Sequence, residues 1–389
     1  MPAYLDYAAT TPLCPASLEV MLPWLAERFG NPSGSHALAR AACQAVDEAR
    51  ETVAECTGAV PGGVVFTSGG TESTNLAIWG RALSAPGTVV VSAIEHHAVL
   101  HAAQALERLG LAELRVVPVT ADGLIDLKAL ASALDEHVTL VSVQLVNNEV
   151  GTLQPLDDVS RMVRRRAPNS VLHTDAVQAA PWYDLAAVGA GADMVSLSGH
   201  KFGGPQGSGA LVMRRPVPLA PLFHGGPQER ERRAGTHNVA GIVGLAAALK
   251  ATTDQREESA RRASALRDRL LAGLLQSVPE AYETAAGQAK APGHCHLLID
   301  RVESEALLVL LDREGVYASA GSACASGAME PSHVLTAMGY EPAQALGALR
   351  LTLGHGTADQ DVDLALRVVP AAVARLRGVP MGALPATVR

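Results

Sequence analysis

The chain has 389 residues, 48% of them hydrophobic, which is enough to bury a large core in about two or three domains. The formal net charge of −8, with 31 basic and 39 acidic residues, argues against general nucleic-acid binding, which needs a concentrated basic face. No charge-free apolar segment reaches membrane-spanning length, and the first residues carry no secretory signal. We therefore expect an enzyme-sized globular protein that binds neither membranes nor nucleic acids.

The cysteine content predicts a reducing environment. The five cysteines are an odd number and include no Cys-x-x-Cys pair, which fits neither a disulfide framework nor a zinc site. They are Cys14, Cys43, Cys56, Cys295 and Cys324. We expect a cytoplasmic protein.

The first part of the chain contains an arm, a loop and a helix. Residues 4–12 predict a short extended arm that ends at a turn, and residues 30–36 are too rich in turn residues to be helical. His36, in this loop, is a candidate pocket residue that contacts substrate. Residues 37–58, in which Ala, Arg and Glu dominate, predict a helix.

A strand over residues 63–66 runs into a turn rich in glycine and hydroxyl residues, residues 67–75, and then into a helix that reaches Gly80. Glycines let the backbone approach a ligand closely, and the free N–H groups at a helix start attract anions. The turn lacks the Gly-Lys-Ser/Thr of the nucleotide P-loop. It therefore predicts either a phosphate cradle or a plain helix N-cap.

The middle of the chain repeats a pattern in which a buried strand is followed by polar residues. Strands are predicted over residues 88–92, 138–146, 170–173 and 193–197. This pattern is typical of an α/β fold with a mainly parallel sheet and helices on both faces. At the strand exits, a carboxylate at Asp175 can keep a pyridine nitrogen protonated, and an imidazole at His96 can lie on a ring and pass a proton. The alternative for each is a helix cap or a core polar group.

Lys201 follows the last of these strands. In an open α/β sheet, ligands bind at the carboxyl ends of the strands, and a lysine held there can lose its proton and attack a carbonyl group. Lys201 lies among small and hydroxyl residues and not on a charged helix face. We therefore predict a Schiff base between Lys201 and pyridoxal phosphate, with a solvated surface lysine as the alternative.

A second, smaller domain begins where the sequence pattern changes, at about residue 257. Residues 255–275 predict a charged amphipathic helix, residues 280–292 a loop-rich segment, and residues 294–300 a short strand. The large domain therefore ends near residue 256.

Two cysteine-containing motifs of the second domain lead to opposite predictions. In the short strand, alternation puts His294 and His296 on one face and Cys295 on the other, so we expect structural roles and no metal site. Cys324 lies in residues 318–327, a run of small residues that predicts a mobile, exposed segment. A thiol in such a segment is a candidate nucleophile.

Taken together, the motifs resemble those of a known family. The matching stretches keep the family's order and spacing: residues 4–12, 30–36, 66–77, 95–100, 146–151, 173–178, 196–204, 224–238, 318–335 and 349–354. On these stretches the chain resembles the cysteine desulfurases of the NifS and IscS group, which are class V aminotransferase-like enzymes of pyridoxal phosphate fold type I. The resemblance implies a large cofactor-binding domain over residues 14–256. It also implies a smaller α+β domain, formed by residues 1–13 and 257–389, that carries Cys324.

The resemblance also implies roles for individual residues. Lys201 forms the Schiff base, His96 stacks on the cofactor ring, and Asp175 pairs with the pyridine nitrogen. Gln178 contacts the phenolic oxygen of the cofactor. The implied phosphate-binding residues are Gly70, Thr71, Ser198, His200 and, from the partner subunit of a homodimer, Thr236. The implied ligands of the substrate carboxylate are Asn148 and Arg350. The family's Ser-Gly-Thr reads Ala234-Gly235-Thr236 in this chain.

In the implied reaction, L-cysteine loses its sulfur to Cys324, which lies in the family's Gly-Ser-Ala-Cys motif, and is released as L-alanine. The persulfide on Cys324 then passes to a sulfur-acceptor protein in iron–sulfur cluster assembly, tRNA thiolation or DNA phosphorothioation. One alternative on the same fold is a selenocysteine lyase or an aminotransferase, for which Cys324 is dispensable. A further alternative is a hydrolase that uses Cys324 with a histidine, or a non-catalytic sulfur relay.

Overall fold

The computed structural model describes residues 2–321 and 331–378. Its strands, numbered in chain order, are β1 (Ala3–Tyr4), β2 (Val64–Thr67), β3 (Thr88–Ser92), β4 (Glu113–Val117), β5 (Val138–Ser142), β6 (Val171–Asp175), β7 (Met194–Ser198), β8 (Gly209–Met213), β9 (Ala281–Glu283), β10 (His294–Ile299), β11 (Val316–Tyr317) and β12 (Ala348–Thr352). Its α-helices are α1 (Pro15–Ala26), α2 (Ala37–Thr57), α3 (Gly70–Ser84), α4 (His97–Arg108), α5 (Leu127–Ala133), α6 (Leu156–Arg166), α7 (Leu185–Val188), α8 (Val239–Ser277), α9 (Ser304–Arg313), α10 (His333–Ala337), α11 (Pro342–Ala345) and α12 (Asp359–Leu376). Short 3₁₀ helices cover Pro61–Gly63, Gly199–Lys201 and Gln228–Glu231.

The largest sheet has seven strands in the order β2-β8-β7-β6-β5-β3-β4. β8 is antiparallel to both of its neighbours, and the other adjacent strands are parallel. Every residue of β3 is buried, as expected for a strand that is covered on both faces. The predicted α/β architecture with a mainly parallel sheet is confirmed.

The side chains of β3 alternate between two helical layers. Val90 lies in a core that includes residues of α2, α6 and the first half of α8, whereas Val89 and Val91 lie in a core with residues of α3 and α4. The two-residue periodicity of a strand produces this division. Because helices cover both faces, ligands reach the sheet at the edge where the parallel strands end.

The large sheet and its two helical layers form the first core region, and a second core lies outside them. Its antiparallel sheet has the strand order β12-β10-β9, and the second half of α8, α9 and α12 supply the helical residues of this core. The N-terminal arm joins it, because β1 pairs in parallel with β11 and because Ala3 and Leu5 are fully buried there. The arm therefore connects the start of the chain to the C-terminal part.

Helix α8 is longer than the sequence pattern predicts. It spans 39 residues and begins at Val239, where the side chain of Asn238 accepts the N–H of Gly241 at 3.0 Å. Its first part is rich in buried alanine and glycine and lacks the polar face that marks an amphipathic helix. The predicted domain boundary at residues 256–257 lies inside this helix, and the division into domains stays a prediction. Neither α8 nor any other helix in the described residues is long and apolar enough to cross a membrane.

Strand β5 ends earlier than predicted, at Ser142. The side-chain oxygen of Asn147 accepts the N–H groups of Glu149 and Val150, both at 2.9 Å, and this turns the chain away from the sheet. The turn brings the polar residues that follow β5 to the carboxyl edge of the sheet.

Helix α3 continues through the predicted end at Gly80 to Ser84. A Cβ on Gly80 would lie only 2.9 Å from the carbonyl oxygen of Ala220. Glycine at this position therefore permits close packing and does not terminate the helix.

Candidate active site

A pocket of about 390 Å³ lies at the carboxyl ends of β3, β5, β6 and β7 and is bordered by β12 of the second core. It brings together most of the residues predicted from the sequence. Those that line it are Gly70, Thr71, His96, Asn148, Asp175, Gln178, Ser198, His200, Lys201 and Arg350. They converge because parallel strands end at one edge of a sheet.

Lys201 is held by the N-terminal arm. The 3₁₀ helix after β7 places its amine beside the arm, where Nζ donates hydrogen bonds to the carbonyl oxygens of Ala8 (2.6 Å) and Ala9 (2.9 Å). Burial and the positive charge of Arg350 lower the pKa of the amine to about 8, although Asp175 opposes the change. At pH 7 about a tenth of such an amine is neutral, far more than for an ordinary lysine, so Lys201 is a competent nucleophile.

Asp175 ends β6 as a buried carboxyl group. Burial raises its pKa to about 6, and the effect is limited by the N–H of Val177, which donates to Oδ1 at 2.9 Å, and by Lys201. Behind it, the buried imidazole of His173 lies between the hydroxyls of Ser142 (2.8 Å) and Ser196 (2.9 Å). Burial lowers the pKa of His173 to about 3, so this neutral ring supplies no positive charge to Asp175. The carboxyl group therefore remains available for a cationic ligand in the pocket.

Replacing Asp175 by asparagine should stabilise the cofactor-free protein at neutral pH. An aspartate in the unfolded chain loses its proton at about pH 4, whereas folded Asp175 keeps its proton up to about pH 6. Raising the pH between these two values favours the unfolded chain. Above about pH 6 the free energy of unfolding is therefore lower by about 3 kcal/mol. Thermal unfolding at pH 8 should therefore show a higher midpoint for Asp175→Asn than for the wild type, and the difference should vanish by about pH 4.

The control for this experiment is Asp184→Asn at the exposed start of α7, which keeps the helix cap. It should not reproduce the pH-dependent gain. Equal unfolding midpoints for wild type and Asp175→Asn at pH 8 would contradict the inferred burial of an uncompensated carboxylate.

His96 presents its ring to the pocket from the start of α4. Its Nδ1 accepts the N–H of Ala98 at 3.1 Å, so the ring is oriented and the proton of the neutral imidazole lies on Nε2. The ring faces the open pocket, and partial desolvation there, followed by the charge of Lys201 and the neighbouring His97, lowers the pKa of His96. A neutral, oriented imidazole is thus available to stack on a flat ring.

The first turn of α3 forms an anion cradle. Gly69 precedes the helix with a φ of 154°, a conformation that favours glycine. A Cβ on Gly70 would lie 2.9 Å from Cγ2 of Val177 and 3.3 Å from Cβ of Ser198, so only glycine leaves this wall open. The free N–H groups of the helix start, together with the hydroxyls of Thr71 and Ser198, can bind a phosphate group.

Arg350 borders the pocket from β12 and is almost fully buried. Its Nη2 donates to Oδ1 of Asp6 at 2.8 Å, and its Nη1 donates to the carbonyl oxygens of Asn148 (2.9 Å) and Gly321 (3.3 Å). The arm residue Asp6 thus fixes the guanidinium at the pocket, a role that the sequence pattern did not predict. A substrate carboxylate that binds Arg350 would share the guanidinium with Asp6.

Two of the predicted site residues that the structure describes do not line this pocket. His36 caps α2, where its Nδ1 accepts the N–H of Ala39 at 3.3 Å. Thr236 lies in a separate surface groove with Phe223 and Arg233. Cys324 lies outside the described residues.

The segment that carries Thr236 is anchored by a buried carboxylate. Glu229 accepts hydrogen bonds from Nη1 and Nη2 of Arg50 (2.8 and 2.7 Å), from the N–H of Phe66 (3.0 Å), and contacts Nε2 of His237 at 2.7 Å. Burial alone would raise the pKa of Glu229, but the hydrogen bonds from Arg50 and His237 outweigh it and lower the pKa to about 2. The side chain is therefore a carboxylate at neutral pH. The backbone beside it is left-handed, with positive φ angles of 48°, 56° and 64° at residues 229–231.

Several polar residues of the pocket were not predicted. They are His97, Gln144, Glu149 and His333. His97, Glu149 and His333 lie within stretches that resemble the family, and Gln144 precedes one, but no spacing or residue type singles these side chains out. Their position depends on contacts between distant parts of the chain, such as the 2.9 Å contact between Nε2 of His333 and the carbonyl oxygen of Glu95.

The comparisons with known proteins agree with this geometry. Residues 3–365 match the family model described as aminotransferase class-V. The chain is 43% identical to an IscS-like cysteine desulfurase from Mycobacterium tuberculosis, with 98% of both chains covered. Among solved structures, it is similar to a NifS-like protein with a TM-score of 0.90 and 34% identity, over 96% of this chain and all of the other. It is also similar to SspA in complex with cysteine, with a TM-score of 0.80 and 34% identity, over 92% of this chain and all of the other. The chain therefore belongs to the aminotransferase class-V family and, within it, to the NifS- and IscS-like group of cysteine desulfurases.

Proposed function

We propose that the protein is a cysteine desulfurase that converts L-cysteine into L-alanine and leaves the sulfur as a persulfide on Cys324. The observation that carries this proposal is the convergence of Lys201, Asp175 and His96 on one pocket, with an anion cradle on one side and Arg350 on another. The membership of the chain in a family of cysteine desulfurases supports the same activity.

The pocket residues fit pyridoxal phosphate. Asp175 is a buried carboxyl group that forms no ion pair within the described residues, Gly70 keeps an anion cradle open, and Lys201 is a nucleophilic amine in the same pocket. When bound, pyridoxal phosphate supplies a protonated ring that withdraws electrons from the substrate carbons. Asp175 would face the ring nitrogen, His96 the ring, and Lys201 the aldehyde carbon.

The protein side chains then have separate tasks. Arg350 and Asn148 hold the substrate carboxylate, and Lys201 and His96 move protons to and from the substrate carbons. The thiolate of Cys324 attacks the sulfur of L-cysteine, a sulfur–sulfur bond forms, and the bond between the substrate Cβ and its sulfur breaks. The electron pair of the broken bond stays with the substrate, which gains a proton and leaves as L-alanine. One thiol and one L-cysteine thus yield one persulfide and one L-alanine, and no external oxidant or reductant is needed.

The persulfide requires an acceptor protein that takes up sulfur.

The cysteines also support a cytoplasmic setting, because the four that lie in the described residues are all free thiols: Cys14, Cys43, Cys56 and Cys295. The experiment that tests the overall activity measures L-alanine and sulfide released from L-cysteine in the presence of a reducing thiol. Both products should appear in equal amounts.

The functional unit is proposed to be a homodimer. Helix α1 exposes Leu18, Leu22 and Leu25, which lie on one face at helical spacing, and Phe29 follows with 76% of its surface exposed. An exposed apolar patch of this kind marks an interaction surface. The groove that holds Thr236 lies outside the pocket of its own chain, which supports a contribution of Thr236 to the pocket of a partner subunit.

Sedimentation in dilute solution should give twice the chain mass of 40.3 kDa. Leu25→Glu should weaken the dimer and reduce cofactor content, because a charge would be buried in the apolar contact. The matched control is Val309→Glu, which changes a comparably exposed residue on α9 and should leave the dimer intact. A monomer with full cofactor content and full activity would contradict the proposal.

A further inference from the structure

A buried carboxyl group lies beneath Gly321, the last described residue before Cys324. Gly321 has a φ of 97°, and a Cβ added to it would lie 3.3 Å both from Oε2 of Glu149 and from Nε2 of His296. Its carbonyl oxygen accepts a hydrogen bond from Nη1 of Arg350 at 3.3 Å. The backbone at Gly321 therefore lies against Glu149 and is held by Arg350.

The same carboxyl oxygen contacts the chain after Cys324. The hydroxyl of Ser332 donates a hydrogen bond to Oε2 of Glu149. This hydroxyl also accepts the N–H groups of Val334 (3.1 Å) and Leu335 (3.2 Å) and so caps α10. Glu149 thus links Gly321, which precedes residues 322–330, to helix α10, which follows them.

Glu149 is itself fixed in place. Its backbone N–H donates to the side-chain oxygen of Asn147 at 2.9 Å, and the amide of Asn147 donates to the carbonyl oxygen of Ile94 at 3.1 Å. Only 2% of the Glu149 surface is exposed. Burial raises the pKa of its carboxyl group, with Ser332 and Arg350 acting in the opposite direction. The carboxyl group that contacts Ser332 therefore belongs to a buried residue on a fixed turn after β5, and not to a freely rotating surface side chain.

We propose that Glu149 is a positioning residue for sulfur transfer. It fixes the positions of Gly321 and Ser332 relative to each other and thereby sets the approach of Cys324 to the substrate sulfur. This inference rests on the proposed desulfurase function. Glu149 makes no hydrogen bond to Lys201, Asp175 or His96 in the described part of the chain. Proton transfer at the substrate α-carbon should therefore be independent of Glu149, whereas persulfide formation should depend on it.

The test compares Glu149→Ala, Glu149→Gln, Ser332→Ala and the double variant Glu149→Ala/Ser332→Ala. Two rates are measured on the cofactor-loaded enzyme. The first is single-turnover formation of persulfide on the Cys324 peptide, followed by mass spectrometry. The second is exchange of the α-proton of L-alanine in heavy water, which uses the cofactor site but needs no thiol. Cofactor content and the L-cysteine concentration that half-saturates the absorbance change are recorded for each variant.

Glu149→Ala should slow persulfide formation by about tenfold, the loss expected from one hydrogen bond to a charged or acidic group. Glu149→Gln keeps an oxygen acceptor for Ser332 and should stay within about threefold of the wild type. α-Proton exchange should remain within about twofold of the wild-type rate in every variant. Each single variant already removes the contact between Glu149 and Ser332, so the loss in the double variant should be smaller than the product of the two single losses.

A fall of α-proton exchange in parallel with persulfide formation would overturn the proposal, since Glu149 would then serve the cofactor or the substrate. An unchanged persulfide rate in Glu149→Ala would overturn it as well. If Glu149→Ala does not fold, Ser332→Ala decides the question by the same two rates. Failure of the proposed function looks different, because the wild-type enzyme would then form no persulfide on Cys324.

Discussion

Lys201→Ala should abolish covalent attachment of pyridoxal phosphate and reduce L-cysteine turnover by several orders of magnitude. Lys201 is the amine that the pocket buries beside Asp175, and its lowered pKa of about 8 makes it nucleophilic. The purified variant should be colourless or should lose its cofactor on dialysis. Treatment with borohydride, followed by peptide mapping, should attach the cofactor to Lys201 in the wild type and to no peptide in the variant.

The matched control is Lys250→Ala, which removes an exposed lysine paired with Asp254 and should keep colour and activity. The competing site to examine is Lys290, a buried lysine whose amine is already paired with Glu283 at 2.6 Å. A borohydride-reducible link in Lys201→Ala, at Lys290 or elsewhere, would show that the cofactor site has been assigned to the wrong lysine.

Cys324→Ala should separate sulfur transfer from cofactor chemistry. The variant should keep its colour and still show the absorbance change on binding L-cysteine, yet release almost no L-alanine or sulfide. The other cysteines are poor substitutes, because burial raises the pKa of Cys56 and raises the pKa of Cys295 to about 12. Brief exposure of the wild type to L-cysteine should add one sulfur to the Cys324 peptide by mass spectrometry.

The control for this experiment is Cys43→Ala, which removes an exposed thiol. Burial and the nearby Asp47 raise the pKa of Cys43, so its loss should leave turnover unchanged. Extra sulfur on Cys14, Cys43, Cys56 or Cys295 in place of Cys324 would refute the mechanism. Wild-type turnover by Cys324→Ala would favour a lyase or an aminotransferase on the same fold.

The features that could be predicted from the sequence are those with local causes. Residues 88–91 are an uninterrupted β-branched run followed by Ser92, and β3 spans residues 88–92. The polar residues Asp175 and Lys201 follow buried strands, and parallel strands necessarily bring such exits to one edge. The strand exits alone therefore indicated His96, Asp175 and Lys201, whereas most of the other pocket residues were implied by the resemblance to the family.

The features that could not be predicted depend on contacts across long stretches of chain. The amine of Lys201 bonds to Ala8, which is 193 positions away, and Arg350 bonds to Asp6, which is 344 positions away. Neither arm residue belongs to a periodic pattern, and a backbone carbonyl such as that of Ala8 has no sequence signal at all. The start of α8 was missed for a different reason. Its first part is buried on several sides and lacks a polar face, so the sequence shows no amphipathic pattern there.

The Glu229 anchor has a consequence for how two subunits would come together. Residues with left-handed backbones cost about 1–3 kcal/mol each, so the turn at residues 229–231 would not keep its shape unaided. The bonds from Arg50 and Phe66 supply the compensation within a single chain. The Thr236 segment is thus preorganised before association, and little conformational entropy is lost when it meets a neighbour. The two subunits would then associate through surfaces that are already folded, without folding coupled to binding.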